Sequence, residues 1–112
     1  MAAFNSAFPI LPGKTETARS FASAITGSRS EEFKAMQSRA GTTRETWSLQ
    51  ETPAGDSMLV WFEGDVEKAF GDLATATDDF TVWFRGQIKE VTGLDMSEPA
   101  EGGPEMLLDW NA

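Results

Sequence analysis

The side chains able to do chemistry in this chain are few, and their types set its limits. The 112 residues include no cysteine, histidine or tyrosine. Disulfides, thiolate nucleophiles, zinc knuckles and iron–sulfur ligation are therefore excluded. The commonest general base and transition-metal ligand is missing as well. Carboxylates, Arg, Lys, amides, hydroxyls and four tryptophans remain.

Among these, Arg29 stands out because it falls in the middle of an apolar helical stripe, between Ile25 and Phe33. A guanidinium there needs a carboxylate, since an unpaired buried charge costs on the order of several kcal/mol. Glu32 is one turn on, and Glu45 and Glu51 are long-range candidates. Arg29 is a candidate anion clamp, because Arg binds carboxylates bidentately. The commoner role is a structural ion pair, or a helix break at Gly27 that turns Arg29 to solvent.

Glu45 and Glu51 share one strand face six residues apart, about 20 Å in extended chain. Two-carboxylate glycosidase chemistry needs a pair within roughly 5–9.5 Å, so these are read as separate groups at the ends of a sheet, solvated or salt-bridged. "EGDVE" at 63–67 lacks the alternating oxygen ligands of a calcium loop, and "EGGPE" is not followed by the Lys and helix of a phosphate loop. No metal site and no cofactor are expected.

The elements that must position these groups follow from periodicity. Residues 4–11 read as a first strand, with Pro9 restricting it to an edge or bulge. Residues 15–40 carry a stripe of Ala18, Phe21, Ala22, Ile25, Phe33, Met36 and Ala40 at helical spacing. Ser28 and Glu31 fit a capping box, but the stripe keeps phase across Gly27, so one bent helix is favoured over two. A hairpin turning at Pro53–Asp56 follows. Asp65 is the N-cap of a short helix over 66–76. Thr77 or Asp78 caps another that ends at Gly93, with Trp83 and Phe84 as core. Residues 95–104 are a loop, and "EMLLDWN" (105–111) reads as a last strand.

That order, βαββαβ, packs as an α+β fold with a four-stranded antiparallel sheet and helices on one face. Pairing across the hairpin with residue numbers summing to about 109 opposes Trp47 with Phe62, Leu49 with Val60 and Glu51 with Met58 under the helices. The other face receives Asn5, Ala7, Arg44, Thr46, Ser48, Gln50, Leu59, Trp61, Leu107 and Asp109. Leaving Leu59 and Trp61 in water forfeits roughly 1.5–3 kcal/mol each. A second sheet is therefore expected over them, with room between for water or a small organic ligand. Asn5, Ser48, Gln50, Trp61 and Asp109 are the candidate cavity residues. Asp109 would act as a base if apolar neighbours raised its pKa, and otherwise as an interface residue or an exposed acid.

The βαββαβ order, the length and this mixed second face resemble the dimeric α+β barrel superfamily, in which two ferredoxin-like protomers pack sheet against sheet. Within it, "TRETWSLQETPAGD", "FEGD" and "DDFTVWFRGQIKEVTGLDMSEP" resemble small bacterial proteins without an assigned function. The resemblance covers roughly Leu11 to Pro99. It implies the fold and a homodimer. The superfamily also includes cofactor-independent monooxygenases, haem-degrading monooxygenases, muconolactone isomerase-like enzymes and ligand domains of transcription factors. A haem-degrading member would be expected to offer a histidine, and this chain has none. Two functions follow as expectations. One is a non-catalytic dimeric module with an interface cavity. The other is a monooxygenase- or isomerase-like enzyme acting on a small organic molecule in that cavity.

The totals narrow the partners. One domain over residues 1–112 is expected from the length. A net charge of −9 disfavours nucleic acid and anionic membrane surfaces, which need clustered Lys and Arg. The N-terminus lacks a basic region and is broken by Pro9 and Pro12, unlike a signal peptide. No run approaches the roughly 18 apolar residues of a membrane span. A cytoplasmic location is the expectation.

Overall fold

The computed structural model of the protein describes residues 2–98 and 103–112. Its elements are β1 (Ala2–Pro9), α1 (Thr15–Thr26), α2 (Ser30–Ala40), β2 (Thr42–Thr52), β3 (Gly55–Gly64), α3 (Val66–Thr75) and α4 (Asp79–Thr92). The sheet is antiparallel in the order β1-β3-β2. The class is α+β, with the helices packed on the sheet.

The sheet has three strands among the described residues rather than the expected four. Residues 103–112 form no helix or strand and are exposed throughout. The alternation of Met106, Leu108 and Trp110 says which side chains would share a face if the segment were paired. It does not supply a neighbour, and among the described residues β1 pairs with β3 alone. Pro9 ends β1, so the edge expected from its missing N–H is where it lies.

The stripe over residues 15–40 also divides. Gly27 adopts φ −123° and ψ −103°, and Arg29 N–H then donates to Ala24 O at 2.8 Å. A Cβ at position 27 would lie 2.9 Å from Ser23 O, so glycine is what permits the break. α1 and α2 are therefore separate helices, and α2 starts without a side-chain cap. The Ser28–Glu31 capping box does not form. The apolar phase survives because both helices still face one core.

The hairpin pairs two residues out of the expected register. Trp47 opposes Val60, Leu49 opposes Met58, and Glu51 opposes Asp56. The turn is the tight pair Pro53–Ala54, closed by Thr52 Oγ1 donating to Gly55 O at 2.7 Å. A slip of two preserves parity, so every side chain keeps its expected face. At the other end of the hairpin, Gly64 (φ +149°) packs so closely on Gly41 that a Cβ would lie 2.3 Å from Gly41 O. Asp65 N–H also donates to Gly41 O, at 3.3 Å.

The later helices are capped as their sequence predicts. Asp65 accepts from Lys68 N–H and Asp78 from Thr81 N–H, each at 3.1 Å. Gly93 closes α4 in the left-handed conformation. The core lies between the helices and the sheet. Its centre is Phe84, whose ring stands 5.0 Å from Phe21 and 5.9 Å from Phe33. Arg39 ties three helices together, donating to Asp72 at 2.8 and 3.0 Å and to Thr81 Oγ1 at 2.9 Å.

Candidate functional site

Two places could hold a site, and they lie on opposite faces of the sheet. The first is the bare face. Antiparallel pairing sets Trp61 between Asn5 and Thr46, and Leu59 between Ala7 and Ser48. Gln50 lies one row further along, opposite Ser57. Asn5, Ser48 and Gln50 are exposed, while Trp61 and Leu59 are half-buried. The result is an apolar ridge on the middle strand with small side chains on both shoulders. Arg44 places its guanidinium 5.6 Å from the Trp61 ring. Asp109, the remaining expected member of this group, lies in the exposed C-terminal segment. The bare face thus brings together Asn5, Ser48, Gln50 and Trp61, without Asp109.

Arg29 sits at the junction of α1 and α2. Its Nε and Nη2 donate to Glu32 Oε1 and Oε2 at 2.9 and 3.0 Å. Its guanidinium also covers the Trp83 and Phe80 rings at 4.3 and 5.0 Å. Hydrogen bonding to Glu32 pushes the Arg29 pKa further up, and that same bond holds Glu32 below the usual carboxylate range. Glu32 thus occupies the Nε–Nη2 edge of the guanidinium as an internal ion pair.

The second place is an apolar cavity of about 100 Å³ between sheet and helices. Phe4, Phe8, Met58, Val60, Phe70 and Phe84 supply much of its wall. One ionisable residue lines it, Glu45. Its Oε1 accepts from Gln37 Nε2 at 2.7 Å and its Oε2 from the Trp47 indole N–H at 2.6 Å. Burial raises the Glu45 pKa, and these two hydrogen bonds offset part of that rise. A carboxyl disposed this way can hold a proton, or accept one from a guest, at a higher pH than an exposed glutamate.

Sequence reasoning placed Glu45 on the helix side but at a solvated or salt-bridged sheet end. The signal that could have found it is the Glu-x-Trp spacing. Residues two apart on a strand share a face, and a Trp on a core face needs an acceptor for its N–H.

The cavity wall continues outward. Phe4, Phe8, Phe70 and Met96 are shared with a wider groove of about 830 Å³ beside β1. Among the described residues, no three carboxylates gather as a metal-ligating group, and no helix is long and apolar enough to cross a membrane. No family model, curated protein or solved structure matches this chain.

Proposed function

We propose that the protein is a homodimeric, non-catalytic binding module whose two copies meet through their bare sheet faces, in the manner of the dimeric α+β barrels it resembles. The observation that carries this reading is the Trp61–Leu59 ridge, apolar and central on the sheet face opposite the one whose Trp47, Leu49 and Met58 pack against the helical core among the described residues. Its shoulders of Asn5, Ala7, Thr46 and Ser48 are low enough for a second ridge to lie alongside, at the roughly 10 Å spacing of packed sheets. Polar Asn5, Ser48 and Gln50 at the margin suit the wetter rim of such an interface.

Sedimentation equilibrium tests the reading directly. The chain should sediment as a dimer at micromolar concentration, and Trp61→Ala should raise the dissociation constant at least tenfold while the circular dichroism spectrum stays unchanged. A monomer in the unsubstituted protein overturns it.

A second reading is favoured by Glu45. An apolar cavity with one proton-holding carboxyl suits a small organic substrate in monooxygenase- or isomerase-like chemistry that needs no cofactor. Under this reading a compact aromatic or branched guest should quench or shift Trp47 fluorescence, and Glu45→Gln should abolish any turnover while sparing the guest's binding.

A further inference from the structure

Two sets of three aromatic rings flank the interior cavity. Phe4, Phe62 and Phe70 stand 5.0 to 5.7 Å apart, and Phe21, Trp47 and Phe84 stand 5.0 to 6.0 Å apart. All six line the cavity. Strand register brings Glu45 beside both sets. It pairs with Phe62, which pairs in turn with Phe4. Trp47 follows two residues on along β2 and donates its indole N–H to Glu45 Oε2 at 2.6 Å.

The charges around this carboxyl are one-sided. Its two hydrogen bonds come from Gln37 and Trp47, both neutral. The described residues that wall the cavity from α1, β1, β3, α3 and α4 are uncharged. Asp72 of α3 shares a smaller hollow of about 60 Å³ with Glu45, but its charge is answered by Arg39 of α2 at 2.8 Å. A carboxylate offers about four acceptor positions, and the two donors leave the rest open. An ionised Glu45 is then a buried anion with acceptor positions to spare and no Lys or Arg among the described residues of the cavity wall. Burial penalises that arrangement heavily.

A guest that completes this site carries positive charge. An anion would meet Glu45 with no cation to hold it. A neutral apolar guest would suit the rings but leave the carboxyl to be silenced by a proton. An alkylammonium ion satisfies both, because ring faces attract cations and a carboxylate accepts a charge-assisted hydrogen bond from an ammonium N–H. The net charge of −9 also draws cations to the protein and repels anions. Size narrows the class further. An apolar cavity of about 150 Å³ holds benzene, so this smaller one suits a guest of about five heavy atoms.

We infer that the interior cavity is a binding site for a small alkylammonium ion, with Glu45 as its counter-ion and the two ring sets as its walls. Trimethylammonium and tetramethylammonium have the required size. The inference rests on the interior cavity of the second reading above and not on the dimer. It gives Glu45 a different task. There the carboxyl handles a proton and can be replaced without loss of binding, whereas here it holds the guest by charge.

Titration of the full chain with tetramethylammonium chloride and with tert-butyl alcohol, at constant ionic strength, tests this, because the two guests match in size and differ in charge. The Trp47 indole proton resonance, assigned by its loss in Trp47→Phe, reports events beside Glu45. Tetramethylammonium should shift it and bind at least about tenfold more tightly than the alcohol once Glu45 is ionised. Glu45→Gln should remove that advantage and leave the alcohol's affinity unchanged, which also shows that the variant folds. A second measurement uses the native chain alone. At acid pH, ammonium uptake should expel the Glu45 proton, so its binding heat should vary with the ionisation heat of the buffer, and the alcohol's should not. Equal affinities for the two guests, or ammonium uptake without proton release, overturn the inference and leave the second reading its neutral guest. Binding of neither guest overturns both. Heat from ammonium with an unmoved Trp47 resonance marks attraction to the acidic surface only, and overturns the inference.

Discussion

The indole N–H of Trp47 donates to Glu45 Oε2 at 2.6 Å, two residues back on the same strand and on the face that meets the helices. This contact fixes the orientation of a core tryptophan whose ring lies 5.1 Å from Phe21 and 6.0 Å from Phe84. It also keeps a carboxyl at the wall of the interior cavity.

Glu45 should give the protein a distinctive pH dependence. Burial raises its folded pKa above the ordinary glutamate value, so the folded chain holds a proton that the unfolded chain has already released. Stability from this group is full below the unfolded pKa and is lost as pH rises through the raised value. Glu45→Gln removes that loss. The stability of the variant relative to the native chain should climb as pH rises from the ordinary glutamate pKa through the raised folded one and then level off, as read by urea denaturation at each pH.

Phe84 is the ring that Phe21, Phe33, Trp47 and Phe80 share. Phe84→Ala should cost about 3–5 kcal/mol, the range for a buried aromatic replaced by a cavity. Because Phe84 also lines the interior cavity, the variant should take up larger apolar guests than the native chain, measurable by Trp47 fluorescence.

Two glycines with positive φ should respond differently to alanine. At Gly64 a Cβ collides with the Gly41 backbone, whereas at Gly55 (φ +132°) nothing lies within 4 Å. Gly55→Ala should cost about 1–3 kcal/mol for backbone strain alone. Gly64→Ala should cost more than about 3 kcal/mol, since the clash adds to the strain. Paired thermal melts would establish the ranking.

Asp78 caps α4 and lies 3.4 Å from Arg39. Partial burial works to raise its pKa, but the Thr81 hydrogen bonds and the Arg39 charge hold it below the ordinary aspartate value. Asp78→Ala should lose about 1 kcal/mol and Asp78→Asn much less, because Asn still accepts the Thr81 N–H. The stability from Asp78 is present above its unfolded pKa and disappears as pH falls through the folded one. The gap between native and Asn variant should therefore close under acid, in the same denaturation series.

The sequence carried the faces of the sheet better than its edges. Alternation assigns Trp47, Leu49, Met58 and Val60 to one side and Ser48, Leu59 and Trp61 to the other, and a register error of two leaves all of them in place. Caps at Asp65, Asp78 and Gly93 were legible because their chemistry is local. Position 105–111 was not, since alternation describes a strand's two faces and says nothing about whether a neighbour exists. The break at Gly27 was masked by an apolar stripe that stays in phase on both sides of it. At the candidate sites, Trp61 was visible as an apolar residue on a polar face. Glu45 was legible only in half, through the Glu-x-Trp spacing, because its second partner, Gln37, reaches it from α2.

The β2–β3 hairpin is closed at both ends, by the Thr52–Gly55 turn and by the Gly41–Gly64 backbone contact. Fraying normally starts where a ladder's last hydrogen bonds meet solvent, and this hairpin offers no such loose end. Its inward-facing amides should be the slowest in the molecule to exchange with deuterium, opening only when the whole chain unfolds. β1 is an edge strand as β2 is, but no turn joins it to β3, so it should exchange sooner. The strand that carries Phe4 and Phe8 to the cavity wall is then the one that opens without the rest.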